Sequence, residues 1–184
     1  NIFYGNQLID ILKQANTKTK GACIFLQKVK NPQSYGVASF SKKNKIIDII
    51  EKPKKPKSNF AVTGLYFFDE TACKKAKLLK PSRRGELEIT DLNKLYLNEN
   101  KLLVRELGRG IAWLDAGTYT DMMSASNFVA NIENRQQIKI ACLEEIAYRQ
   151  NFINKSTLLK HTNKMPECEY KKYVLQILDE EKLN

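Results

Sequence analysis

The chain has 184 residues, 42% hydrophobic and 28% charged, with 31 Lys and Arg against 20 Asp and Glu for a formal net charge of +11. That length suits one domain with a real core better than two, and the absence of low-complexity tracts and internal repeats excludes a disordered or repeat architecture. No apolar run approaches the roughly 20 residues of a membrane helix, and Asn1-Ile2-Phe3-Tyr4-Gly5 lacks the regions of a signal peptide, so a cytoplasmic protein without a membrane partner is expected.

Cys23, Cys73, Cys142 and Cys168 are widely spaced, with His161 the single histidine, which signals neither a zinc site nor a disulfide framework and leaves four reduced thiols as the expectation. The surplus of positive charge favours a polyanionic partner. Lysines are nevertheless strewn along the whole chain, with neither an aromatic-interleaved RNA-binding signature nor a helix-turn-helix, so no nucleic-acid partner is expected.

In chain order, Gly21–Val29, Tyr35–Ser41, Ile46–Glu51 and Phe60–Phe68 read as strands, being short, rich in β-branched and aromatic residues and bounded by turn formers. Lys42-Lys43-Asn44-Lys45 forms a hairpin loop, and Lys52 to Asn59, with two prolines and four lysines, a longer exposed connection. Ala72, Cys73, Ala76 and Leu79 fall on one helical face, and Thr90-Asp91 caps a helix carrying Leu92, Leu95 and Tyr96. A strand Leu102–Leu107 follows, then an apolar strand from Ile111 that runs into Asp115, a glycine turn and a helix N-cap before Tyr119–Ile132. Everything beyond Ile132 reads as amphipathic helix, including Leu143–Arg149 and Glu167–Leu178.

Two strand ends carry chemistry. In Ile49-Ile50-Glu51-Lys52-Pro53 an apolar strand delivers an acid and a base side by side, and the proline forbids the strand to continue. The pair reads either as solvated turn residues or as a binding pair, Glu51 for hydroxyls and Lys52 for a phosphate. Arg84 offers a guanidinium fork for the same phosphate. Asp115 suits magnesium, a hard cation that shares its shell with phosphates and water, or is a charge flanking a helix start. Gly36 either lets backbone approach a ligand or merely enters a strand, and Trp113 is either core or a stacking surface.

Together, Ser34-Tyr35-Gly36-Val37, Glu51-Lys52-Pro53, Ala61 through Tyr66, Arg84 through Thr90 and Trp113 through Thr118 resemble glucose-1-phosphate thymidylyltransferases, and Cys142 through Ala147 continues the likeness. The resemblance covers nearly the whole chain in order. It implies an α/β fold: the C-terminal portion of a Rossmann-like mixed-sheet nucleotidyltransferase domain over residues 1–132, followed by a helical oligomerisation or regulatory tail over 133–184. It also implies a transferase joining glucose 1-phosphate to dTTP, with Mg2+ as cofactor and dTDP-rhamnose synthesis as its pathway. Asn1, Gly36, Glu51 and Val62 would line the sugar, Tyr66 would lie near it and Trp113 would also bind substrate; Lys52 and Arg84 would hold its phosphate, Asp115 would be one of two magnesium carboxylates, and Lys52, Arg84 and Asp115 would be catalytic.

A homotetramer with a regulatory nucleotide site drawing on Gly5, Glu145 and Arg149 is implied as well. A full-length member begins with a glycine-rich loop for the triphosphate and strands that recognise thymine, and its first magnesium aspartate would immediately precede Asn1. None of these is present, so the resemblance implies a C-terminal part, inactive alone. A uridylyl or cytidylyl transferase and a non-catalytic sugar-phosphate-binding or oligomerisation module are the alternative readings.

Overall fold

A computed structural model describes residues 1–18 and 20–180. The described chain forms two compact units, Asn1–Ala116 and Gly117–Asn184.

The first unit is built on a five-stranded mixed sheet. Its strands are β2 (Ala22–Lys28), β3 (Gly36–Phe40), β4 (Ile46–Glu51), β5 (Phe60–Phe68) and β6 (Leu102–Glu106), in the spatial order β4-β3-β5-β2-β6. All neighbours are antiparallel except β2 and β6. A three-residue strand β1 (Ile2–Tyr4) pairs antiparallel with β7 (Ala112–Leu114) as a separate clasp, Phe3 opposite Trp113.

β2 is buried from Ala22 through Leu26, as a continuous apolar run should be when both faces of its sheet are covered. Its side chains divide by the strand period of two. Cys23 and Phe25 join Ala15 and the flanking Ile11 and Leu12 of helix α1 (Leu8–Lys18), with Leu107 and Ile111. Ile24 and Leu26 point the other way with Ala38, Ile49 and Val62, and Ala22 packs with Leu92 and Tyr96 of helix α3 (Ile89–Asn98). Helices on both faces make the predicted α/β layers. Between β5 and α3 lies the single turn α2 (Ala72–Ala76), shorter than the face from Ala72 to Leu79 predicts. There the buried Tyr96 donates its hydroxyl to Asp69 at 2.9 Å, and Thr71 bonds the same carboxylate.

The second unit is helical: α4 (Tyr119–Gln136), α5 (Leu143–Arg149), α6 (Lys155–Thr162) and α7 (Glu169–Glu180). Thr118 caps α4, accepting from the Asp121 amide at 3.1 Å while its hydroxyl donates to the Asp121 carboxylate at 2.7 Å. Cys142, Leu158, Val174 and Leu178 form the buried centre, flanked by Tyr170 and Tyr173. The Tyr170 hydroxyl donates to Glu144 and that of Tyr173 to Glu145, which ties α5 to α7. All four cysteines are free thiols, and no helix among the described residues is long and apolar enough to cross a membrane.

Candidate active site

β3 and β4 pair with Gly36 directly opposite Glu51. Directly opposed residues of an antiparallel pair project to the same side, so the missing side chain at position 36 leaves the room that the Glu51 carboxylate occupies. A Cβ on Gly36 would stand 3.1 Å from Glu51 Oε2 and 3.1 Å from Thr90 Oγ1. Those two oxygens are bonded to each other, the Thr90 hydroxyl donating to Glu51 at 2.6 Å. The glycine is therefore required by a side-chain pair behind it, and not by a turn. Gly36→Ala is expected to push this pair apart and lower stability by ~1–3 kcal/mol, as in an overpacked site; urea denaturation checks it.

The ladder continues one residue past Glu51, where the Lys52 amide donates to the Tyr35 carbonyl at 3.0 Å. Lys52 itself turns into the left-handed region at φ +41°, and Pro53 ends the strand, as the sequence predicts. A lysine in that conformation costs of order 1 kcal/mol or more, and such strain concentrates at functional sites.

β5 supplies the floor. Its register against β2 slips between Ile24 and Leu26, a bulge beside Thr63, whose hydroxyl is held by the Phe25 carbonyl at 3.0 Å. Val62, Gly64 and Tyr66 line the cavity on either side of this irregularity, and bulges beside active sites commonly re-aim side chains. Gly64 is needed for close approach, since a Cβ there would sink into the Asn1 side-chain amide. Asn1 in turn accepts from Trp113 Nε1 at 2.7 Å, and the Trp113 ring packs on Tyr35 with centroids 5.1 Å apart.

These contacts enclose an open cavity of about 210 Å³. Eight of the nine predicted substrate and metal residues line it: Asn1, Gly36, Glu51, Lys52, Val62, Tyr66, Trp113 and Asp115. Arg84 is not among them. It lies in the connection before α3, with Glu86 at 3.0 Å and Glu88 at 3.4 Å. Gly5 packs against the Gly110 carbonyl and Ile111 in the first unit. In the second, Arg149 donates to Glu145 at 2.7 Å.

Thr90 lines the cavity although the sequence reads it as a helix cap. It does not cap its helix: Glu88 holds the N-cap position, and Thr90 lies inside the first turn, 3% exposed, with its hydroxyl on Glu51. Gly64 was legible, because a glycine in mid-strand marks a bulge or a close backbone approach.

Burial, with the Glu51 charge adding to it, pushes the Tyr66 phenol up to about 12. An unfolded tyrosine titrates near 10. Between those values the unfolded chain releases a proton that the folded chain retains, so Tyr66 lowers stability as pH rises from about 10 to 12. Urea denaturation at both ends of that window is expected to show a smaller loss for Tyr66→Phe than for the parent chain.

Asp115 offers oxygen donors at the cavity wall, one already accepting from the Ala116 amide at 3.0 Å. Among the described residues no group of three His, Cys, Asp or Glu side chains is placed to hold a metal. A single carboxylate still fits magnesium, which takes one or two protein carboxylates and completes its shell with phosphate and water.

A family model described as nucleotidyl transferase matches residues 1–132. The chain is 48% identical over 178 residues to glucose-1-phosphate thymidylyltransferase of Neisseria meningitidis, covering 97% of this chain and 62% of that protein. To the enzyme of the same name from Mycobacterium tuberculosis it is 42% identical, again over 97% of this chain and 62% of the other. The chain thus spans about three fifths of the curated relatives it matches.

Among solved structures, a chain described as a candidate glucose-1-phosphate thymidylyltransferase from Bacillus anthracis in complex with sucrose aligns with a TM-score of 0.58 at 42% identity, covering 69% of this chain and 50% of that one. A UDP-glucose pyrophosphorylase complexed with UDP-glucose aligns at 0.60 with 19% identity, covering 70% and 52%, a likeness of fold alone. With a family model that spans residues 1–132, the chain belongs to the nucleotidyl transferase family.

Proposed function

We propose that this chain supplies the sugar-phosphate part of a glucose-1-phosphate thymidylyltransferase, which joins glucose 1-phosphate and dTTP into dTDP-glucose and pyrophosphate. The observation that carries the reading is the single cavity lined by the carboxylate of Glu51, the ammonium-bearing Lys52 and the carboxylate of Asp115. Glu51, aligned by Thr90, accepts from sugar hydroxyls, while Asn1 and Trp113 form the opposite wall. Lys52 neutralises the sugar phosphate so that a second anion can approach. A phosphate oxygen of glucose 1-phosphate then attacks the α-phosphorus of dTTP in line, the bond to the β-phosphate oxygen breaks, and pyrophosphate leaves with that electron pair. No covalent bond to the protein forms.

Arg84 joins the phosphate by exchanging its Glu86 and Glu88 partners, a small cost because the guanidinium is 42% exposed and exposed ion pairs contribute little. Asp115 would hold magnesium in part, and the bound ion would supply charge neutralisation on the triphosphate. The chain covers 62% of those relatives, and on this reading the chain alone is expected to be inactive. The complete protein is proposed as a cytoplasmic homotetramer whose product feeds dTDP-rhamnose synthesis.

Titrating glucose 1-phosphate into the purified chain tests the assignment. Saturable one-site binding that weakens with salt is expected; absence of saturation overturns it. With dTTP, glucose 1-phosphate and magnesium, the chain alone is expected to release no pyrophosphate, and sustained turnover overturns that part. The complete gene product is expected to prefer dTTP over UTP and CTP in the same assay.

A further inference from the structure

The first unit has a second cavity apart from the proposed sugar-phosphate site. A cleft of about 680 Å³ opens where the far ends of the five strands meet, and it shares no lining residue with the site described above. Its floor is apolar and takes one side chain from each strand: Leu26, Phe40, Ile46, Phe60 and Val104. Phe40 and Phe60 pack edge to face at 5.3 Å. Helix α3 covers this face of the sheet at its other end, through Leu92, Tyr96 and the Lys94–Asp48 pair at 3.6 Å.

The rim is positive. The β3–β4 turn reaches the cleft through Asn44, with the exposed Lys43 and Lys45 on either side, and the β4–β5 connection reaches it through Lys57 and Ser58. Ser58 anchors that connection by donating to the Ala38 carbonyl at 2.5 Å. Lys28 stands 5.1 Å from the Phe60 ring centroid and 3.5 Å from Glu106, the one acid lining the cleft. From Lys42 to Lys57 there are seven lysines and two acids, a surplus of five charges out of the chain's eleven. Both acids are engaged away from the loops, Asp48 with Lys94 and Glu51 with Thr90. Of these lysines, Lys57 lines the cleft and Lys43 and Lys45 flank its rim residue Asn44, whereas Lys52 lines the other cavity.

We infer that this cleft binds an acidic amphipathic polypeptide segment, whose apolar side chains fill the floor while its carboxylates meet Lys43, Lys45 and Lys57. Complementary charge steers such a segment to the rim, and the apolar floor supplies what lysines alone would not. A single-stranded nucleic acid would satisfy the lysines and stack on the phenylalanines, but Leu26, Ile46 and Val104 make most of the floor aliphatic. The inference is independent of the sugar-phosphate reading and survives or fails without it.

The test uses the whole chain, in about 0.1 M salt, where the Debye length is ~10 Å. Fluorescence anisotropy is followed for a short labelled peptide alternating Glu and Leu, for its Glu and Ser counterpart of equal charge, and for an oligothymidylate of equal charge. Saturable binding of the Glu–Leu peptide is expected, with the Glu–Ser peptide and the oligothymidylate each at least about tenfold weaker. Reversing Lys43, Lys45 and Lys57 together to Glu is expected to weaken the Glu–Leu peptide by at least about tenfold. All three are exposed, and an unchanged circular dichroism spectrum and urea midpoint confirm an intact fold. Failure of the Glu–Leu peptide to bind, equal or tighter binding of either control, or indifference to the triple reversal overturns the inference.

Discussion

Glu51→Ala is expected to weaken glucose 1-phosphate binding by about 10- to 100-fold, matching the ~1.5–3 kcal/mol of hydrogen bonds to a charged group. The same substitution strips the nearly buried Thr90 hydroxyl of its acceptor, so about 1–3 kcal/mol of folding stability should go with it. Glu51→Gln separates the two losses. Its amide oxygen still accepts from Thr90, so most of the stability returns while the charge-assisted contacts to sugar hydroxyls do not. Calorimetric titration and urea denaturation of both variants check this; unchanged affinity in Glu51→Ala would remove the carboxylate from the site.

Lys52 permits a second dissection, because its backbone and its side chain are expected to work in opposite directions. Lys52→Gly relieves the left-handed strain and should stabilise the fold by up to about 1 kcal/mol, whereas Lys52→Ala keeps that strain and should be near neutral. Both lose the ammonium, and both are expected to bind glucose 1-phosphate about 10- to 100-fold more weakly, with a shallower salt dependence than the parent. A Lys52→Ala chain that binds as tightly as its parent, with the same salt dependence, would show that the phosphate is held elsewhere.

Much of this site is legible in the chain because its parts lie at the ends of strongly patterned strands. Ile46–Glu51 and Phe60–Phe68 occupy the residues their β-branched and aromatic runs predict, and Pro53 marks the stop. What escapes the sequence depends on distant partners. Ile2–Tyr4 is too short to carry a pattern and is a strand only through Ala112–Leu114. Leu8, Ile11, Leu12 and Ala15 do repeat at helical spacing, yet Asn16 and Thr17 dilute the propensity of α1, and its docking on Phe25 stabilises it.

Thr90 looks like a cap because threonine before a helical run often is one; only the strand 39 positions earlier shows where its hydroxyl goes. Arg84 shows the converse. Its motif places it with the sugar phosphate, while local carboxylates two and four residues away hold it in the structure.

The bond between Asn1 and Trp113 spans 112 positions of sequence. Bringing such remote segments together carries a large loop-closure penalty that only later contacts offset, and topologies dominated by these closures fold slowly. The clasp of β1 on β7 is therefore expected to form late, after the local β3–β4 hairpin. Binding competence would then lag behind secondary structure during refolding, and a sugar phosphate that captures the closed clasp would act as a kinetic brake on its reopening.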